Sequence, residues 1–204
     1  MTEIQPEGNY YNKYASKNPI ERAMMKGFFD TVQKTLSKTG IAFDSIYDAG
    51  CGEGHFTEYL RKWYPNAKIT ASDISETAVN GAKEEYKELN INFETADIYA
   101  LDTSAKYSLV TCSEVLEHLE RPEEVLREFA GLASGYILIT VPHEPIWRIL
   151  NICRFKYLKR LGNTPGHIQH WSRRSFKKLI KENSSLEIVT ATGSLPWLIF
   201  LLKV

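Results

Sequence analysis

Three features of this 204-residue sequence predict an α/β protein built on a doubly wound sheet, with helices on both faces. Short apolar runs near residues 44–48, 68–72, 91–95, 107–112 and 135–141 alternate with helix-period stretches near 54–64, 75–88 and 122–133. That alternation is the pattern of a parallel sheet with right-handed crossovers. A glycine-rich turn, Asp48-Ala-Gly-Cys-Gly-Glu-Gly54, follows the first run directly. Two final apolar segments, Leu186–Thr192 and Trp197–Val204, are separated only by Gly193-Ser-Leu-Pro and read as a closing hairpin. The sum is seven strands, mostly parallel, with an antiparallel last strand. The alternative for Leu195–Leu202 is an interfacial hydrophobic tail.

Composition fits one domain over residues 1–204. A 43% hydrophobic content suffices for a single buried core in a chain of this length. Residues 1–40 form an N-terminal cap segment and helix, 41–142 a ligand-binding core, 143–171 an insertion, and 172–204 the last helix and hairpin. Residues 1–18 are rich in tyrosine and asparagine and read as irregular. Asn18-Pro19 then opens a helix to about Ser37, with Met24, Met25, Phe28, Phe29, Val32 and Leu36 at helical spacing. Twenty-five basic residues balance 25 acidic ones, so the chain as a whole has no bias toward polyanions. Cys51, Cys112 and Cys153 are odd in number and show no paired spacing, which favours a reducing compartment. The polar, acidic start does not resemble a signal peptide, and no apolar run approaches the ~20 residues of a membrane span. The expected location is cytoplasmic.

The glycine-rich turn carries the functional reading. Ile46 and Tyr47 end a strand, Asp48 stands at its tip, and the glycines at 50 and 52 let a ligand lie against bare backbone. The next strand ends in Asp73, about twenty residues after the turn, where a carboxylate can accept from both hydroxyls of a ribose. Asp97-Ile98, after the third strand, can hold the exocyclic amine of an adenine and cover its ring. Glu53 and Asp48 are poor company for a pyrophosphate but suit a sulfonium and an α-amino group, which disfavours a dinucleotide. Asp48-Ala-Gly-Cys-Gly-Glu-Gly, Ala71-Ser-Asp-Ile-Ser and Ala96-Asp-Ile together resemble the class I S-adenosylmethionine-dependent methyltransferases. The resemblance covers residues 40–142 closely and implies a Rossmann-like fold with S-adenosylmethionine as cofactor. It implies cofactor contacts at Asp48, Ala49, Gly50, Cys51, Gly52, Asp73, Ile74, Asp97, Ile98, Ser113 and Glu114. It also implies that the leading segment, with Tyr10, Tyr11 and Tyr14, lies over the cofactor; packing of these tyrosines on the surface is the plainer alternative. A binding protein that holds the cofactor without transferring methyl also stays open.

The fourth strand delivers Ser113-Glu-Val-Leu-Glu-His-Leu119. In a helical turn, Glu114, Glu117 and His118 fall on one face, a half-shell for a divalent metal. In many small-molecule methyltransferases that this stretch resembles, the same turn lines the cofactor site without metal. Further on, Gly166-His-Ile-Gln-His-Trp-Ser-Arg adds His167 and His170. E-x-x-E-H with a later histidine before Trp-Ser/Thr-Arg is similar to the small-RNA 3′-terminal 2′-O-methyltransferases, and the turn also resembles ubiquinone-pathway O-methyltransferases. That likeness implies Glu114, Glu117, His118 and His167 as ligands for Mg, Mn or Zn. The spacing before Trp171 departs from the RNA enzymes, which leaves His167 and His170 both open. Without metal, His118, His143, His167 or His170 is the candidate general base. The fourth strand lacks the N/D-P-P-Y/F signature of amino-group methyltransferases, which favours O-methylation.

From Pro145 to Ile180 there is no acidic residue but nine basic ones: Arg148, Arg154, Lys156, Lys159, Arg160, Arg173, Arg174, Lys177 and Lys178. Such asymmetry points to a local anionic partner. Pro145–Leu161 reads as an amphipathic helix with Trp147, Leu150, Tyr157, Leu158 and Leu161 on one side, placed to act as a substrate lid. Three readings fit it. One is a small or lipid-linked anionic acceptor, with peripheral membrane contact; one is an RNA end; one is a lid packed on the domain with its basic face solvated. Gly162-Asn-Thr-Pro-Gly166 reads as its hinge.

Overall fold

The computed structural model describes residues 18–153, 157 and 160–204. Its seven strands form one sheet in the order β3-β2-β1-β4-β5-β7-β6. Five are parallel: β1 (Ser45–Ala49), β2 (Lys68–Asp73), β3 (Ile91–Thr95), β4 (Tyr107–Ser113) and β5 (Ala133–Pro142). The closing hairpin forms as expected from β6 (Glu187–Ser194) and β7 (Trp197–Lys203). The last strand slots antiparallel between β5 and β6. Leu198–Leu202 is therefore central and fully buried, and only Leu195 in the turn is exposed, which rules out the tail reading.

Burial on both sides explains why these strands read as unbroken apolar runs. Along each strand alternate residues serve opposite faces: Ile46, Leu109, Leu138 and Ile199 one, Tyr47, Val110, Ile139 and Phe200 the other. On the first face lie α1 (Pro19–Ser37), through Met25, Phe28, Phe29, Val32 and Leu36, and α2 (His55–Trp63), through Phe56 and Leu60. The second face takes α4 (Pro122–Leu132) and α6 (Arg173–Asn183), through Val125, Phe129, Phe176 and Ile180. Val79 and Ala82 of α3 (Glu76–Glu85) pack on Ala71 and Phe93 near the β3 edge. The predicted start of α1 holds, with Asn18 Oδ1 accepting from the Ile20 amide at 2.9 Å. Among the described residues no helix is long and apolar enough to cross a membrane.

The insertion departs from expectation. Its helix, α5, spans only Ile146–Cys153. Tyr157 and Leu161 have φ of 54° and 49°, so no helix runs through them, and Leu161 is 70% exposed. Side chains of α5 instead fasten the returning chain: Asn151 Nδ2 donates to the Gly162 carbonyl at 2.9 Å, and Trp147 Nε1 to Thr164 Oγ1 at 2.9 Å. Residues 154–156, 158 and 159, with Arg154, Lys156, Leu158 and Lys159, lie outside the described residues, as does Tyr14.

Candidate functional site

The chain reverses its winding between β1 and β4, and ligands of open α/β sheets bind outside the strand tips at such a switch point. The glycine-rich turn sits there. The Gly50 and Cys51 amides both donate to the Ser72 carbonyl at 2.8 Å, folding the turn back onto β2. At Gly50, with φ +73°, a Cβ would stand 2.4 Å from Val115 Cγ2, so the architecture itself demands glycine. Gly52 differs. Its φ is also positive, at +52°, yet a Cβ there would meet nothing within 4 Å. Asp73 reaches across from β2, its Oδ2 accepting from the Gly52 amide at 2.8 Å and its Oδ1 from the Ser75 amide at 2.9 Å. The Ala96 amide donates to the Asp73 carbonyl at 3.1 Å and brings the β3 tip alongside. There Asp97 is exposed and takes the Tyr99 amide on Oδ1, while Ile98 packs against the core. Ile74 is largely exposed.

Three residues of the predicted cofactor set are core side chains. Ala49 and Cys51 are buried, and burial pushes the Cys51 thiol up, so it stays protonated. Asp48 is 1% exposed. Its Oδ2 accepts from Thr57 Oγ1 of α2 at 2.6 Å and its Oδ1 from Thr111 Oγ1 of β4 at 2.7 Å. Removal from water lifts its pKa to about 6, with the Asp73 charge adding to the lift and the two threonine hydroxyls opposing it. Asp48 is thus a strut joining β1, α2 and β4.

Beyond β4 the backbone turns abruptly. Ser113 Oγ pairs with Thr140 Oγ1 at 2.9 Å, and Glu114 adopts φ 61°, a conformation that non-glycine residues hold only when the surroundings enforce it. Trp197 Nε1 donates to Glu114 Oε2 at 2.7 Å, and the Glu114 amide donates to the Thr140 carbonyl at 3.0 Å. A 3-10 turn then covers Leu116–His118. The left-handed φ at Glu114 breaks the helical repeat that the three-residue spacing of Glu114 and Glu117 assumed. Glu117, His118 and His167 do converge, with one ligand atom from each lying within 4.8 Å of the others. Glu117 is 1% and His167 8% exposed. The Ile168 and Gln169 amides both donate to the Glu117 carbonyl at 3.0 Å and seat the His167 segment against the turn. His118 and His167 meet edge to face at 4.9 Å, and Trp147 of α5 stacks on His167 at 6.0 Å.

His118 Nδ1 lies 3.0 Å from the Gly166 carbonyl. A carbonyl only accepts, so the proton sits on Nδ1 and Nε2 carries the lone pair, the arrangement that orients a ligating histidine. Two imidazoles and a buried carboxylate fit a divalent cation by donor type. Of the other candidate bases, His170 donates through Nε2 to Asn163 Oδ1 at 2.8 Å and is exposed. Burial, helped by the Arg173 charge, lowers the pKa of His143 and keeps it a neutral acceptor at pH 7. Sequence reasoning passed over two groups. His55 links Glu53, at 3.2 Å, to the Tyr86 hydroxyl, at 2.8 Å, beside the glycine turn. Glu144, just past the end of β5, is buried at 8% exposure.

A family model described as "Methyltransferase domain" matches residues 20–191. A ubiquinone biosynthesis O-methyltransferase of Coxiella burnetii (strain RSA 493 / Nine Mile phase I) is 37% identical over 90 residues, 43% of this chain and 38% of the relative. A malonyl-[acyl-carrier protein] O-methyltransferase of Bacillus cereus is 29% identical over 137 residues, 66% of this chain and 49% of the relative. The chain thus spans less than half the length of these curated relatives. Among solved structures, a magnesium protoporphyrin IX methyltransferase from Synechocystis PCC 6803 with bound SAH superposes with a TM-score of 0.69 at 23% identity, covering 93% of this chain and 89% of that one. An S-adenosylmethionine-dependent methyltransferase from Clostridium acetobutylicum ATCC 824 gives 0.67 at 14% identity, covering 88% and 91%. These likenesses agree with the Rossmann-like sheet. With a family match across most of its length, the chain belongs to the methyltransferase domain family.

Proposed function

We propose that the chain transfers a methyl group from S-adenosylmethionine to a hydroxyl of a small or lipid-linked anionic acceptor. The observation that carries the cofactor reading is Gly52: its Cβ side is open space, where that of Gly50 is filled by Val115, and its amide is held by the Asp73 carboxylate. The adenosine lies over the β1, β2 and β3 tips, its ribose hydroxyls on Asp73 and its adenine between Asp97 and Ile98. O-methylation is supported by the two curated relatives, both O-methyltransferases. An anionic acceptor is supported by Arg148, Arg160, Arg173, Arg174, Lys177 and Lys178 in a stretch without acids. Exposed Ile149, Ile152 and Leu161 beside them suit an acyl chain or peripheral membrane contact. An RNA 3′ end is less favoured, since Glu114, the fourth member of that ligand set, is not among the clustered ligand atoms of Glu117, His118 and His167. A cytoplasmic location accords with this chemistry.

Glu117, His118 and His167 would hold a divalent metal, which when bound lowers the pKa of a coordinated hydroxyl and orients it. The residues themselves supply the rest. His143 is neutral and can take the acceptor proton. Trp147 and Trp197 wall the site, keep water out and hold the acceptor. Positioning of this kind is worth ~7–11 kcal/mol in well-oriented reactions. The test is transfer of radiolabel from S-[methyl-³H]adenosylmethionine into lipid, RNA and small polar fractions of a cell extract. Label in a small-molecule or lipid fraction is expected; label in RNA favours the RNA reading, and a chain that binds cofactor but labels nothing is a binding protein.

A further inference from the structure

Glu144 stands where β5 passes into α5, its amide donating to the Trp171 carbonyl at 2.9 Å. It is 8% exposed, its carboxylate oxygens are shut off from solvent, and neither makes a hydrogen bond of good geometry, although the Arg148 backbone amide faces the group. A carboxylate removed from water without well-formed hydrogen bonds is among the most costly groups a core can hold, and such groups survive where a ligand answers them. Burial raises its pKa, while the His170 charge and then the Arg148 backbone amide and guanidinium oppose the rise. The location is the acceptor side of the sheet. His143 precedes it, Trp147 of the wall follows one turn later on the His143 carbonyl, and His170 adjoins the Trp171 to which it is tethered. It is also the last acid before 36 residues with none, from Pro145 to Ile180.

We infer that Glu144 is an acceptor-binding residue, its carboxylate receiving hydrogen bonds from hydroxyl donors of the substrate. This rests on the hydroxyl-methylating function proposed above. In the arrangement described, α5 and the Trp171 strand shut the carboxylate away, so the acceptor reaches it only with α5 drawn back. Closing α5 on an empty site strands the charge; closing it on a hydroxyl satisfies it. Substrate occupancy and closure are thereby coupled through one side chain. The acceptor class narrows to molecules that combine an anionic group, for the surrounding arginines and lysines, with free hydroxyls.

The test compares wild type with Glu144→Gln, which keeps shape and removes charge, and with Glu144→Leu. Three readouts are taken at pH 8: thermal melting of the ligand-free protein, calorimetric binding of S-adenosylhomocysteine, and single-turnover transfer of radiolabel into a deproteinised cell extract. Both variants are expected to melt higher than wild type, by about 2–4 °C in a protein of this size. They should bind S-adenosylhomocysteine within twofold of wild type and transfer label at least tenfold more slowly. A lower melting temperature in both variants makes Glu144 an architectural residue and overturns the inference, as does undiminished transfer. If wild type transfers nothing, the hydroxyl-methylating function falls, and the melting shift alone still decides whether Glu144 is a costly residue kept for a ligand or a structural one.

Discussion

Protonation of Asp48 should leave a measurable signature in stability. Its carboxyl has an ordinary value of 3.8 and sits at about 6 in the fold, chiefly because burial removes it from water. Between those two values the folded protein holds a proton that the unfolded chain has released. Stability therefore falls as pH rises across that window and is recovered on acidification. At about 1.4 kcal/mol per pH unit, the gap amounts to about 3 kcal/mol. In Asp48→Asn the side chain is neutral throughout, and the Thr57 or Thr111 hydroxyl can turn to accept from its amide. Urea denaturation of ligand-free wild type and Asp48→Asn at half-unit steps from pH 4 to 7 checks this. Other groups, including Glu144, are common to both proteins and cancel. The difference between the two curves should change by about 2.4 kcal/mol across the range, most of the full gap, wild type losing more as pH rises. Parallel curves would refute the claim that this buried carboxylate costs stability when charged.

Other outcomes follow from the same geometry. Asp73→Ala removes the acceptor for the Gly52 and Ser75 amides together with the ribose partner; calorimetry should show S-adenosylhomocysteine binding weakened by about 1.5–3 kcal/mol. Gly50→Ala drives a Cβ into Val115 and should lower the melting temperature by several degrees, whereas Gly52→Ala, with open space beside it, should melt closer to wild type. Trp197→Phe deletes the bond that holds Glu114 and should cost about 1.5–3 kcal/mol in chemical denaturation. Glu117→Gln combined with His167→Ala should abolish calorimetric binding of Mn²⁺ or Zn²⁺; unchanged binding would remove the metal from the account.

The sheet was legible because its strands are buried on both faces and its turns are marked by glycine and proline, so period and punctuation agree. The cofactor turn was legible for the same reason: Gly50 and Gly52 take positive φ that few other residues tolerate. Separations along the chain were harder. Glu114 and Glu117 share a face only in a helix, and the left-handed φ at Glu114, enforced by a tryptophan 83 residues away, cannot be read from local pattern. His167 rather than His170 joins the cluster because two amides tie the following residues to Glu117, a tertiary bond that spacing does not encode. The lid helix does not run through to Leu161 because Tyr157 and Leu161 take left-handed φ, which their apolar spacing does not betray. The isolation of Glu144 did leave a trace, as the one acid standing directly before the acid-free stretch.

The adenosyl cradle is tested most directly by titrating S-adenosylhomocysteine into wild type and Gly52→Val in a calorimeter. Wild type should bind with one-to-one stoichiometry, while the folded variant, its new side chain standing in the open space at Gly52, should give no heat of binding. No binding by wild type, or equal binding by both, would contradict the assignment of the three strand tips to the cofactor.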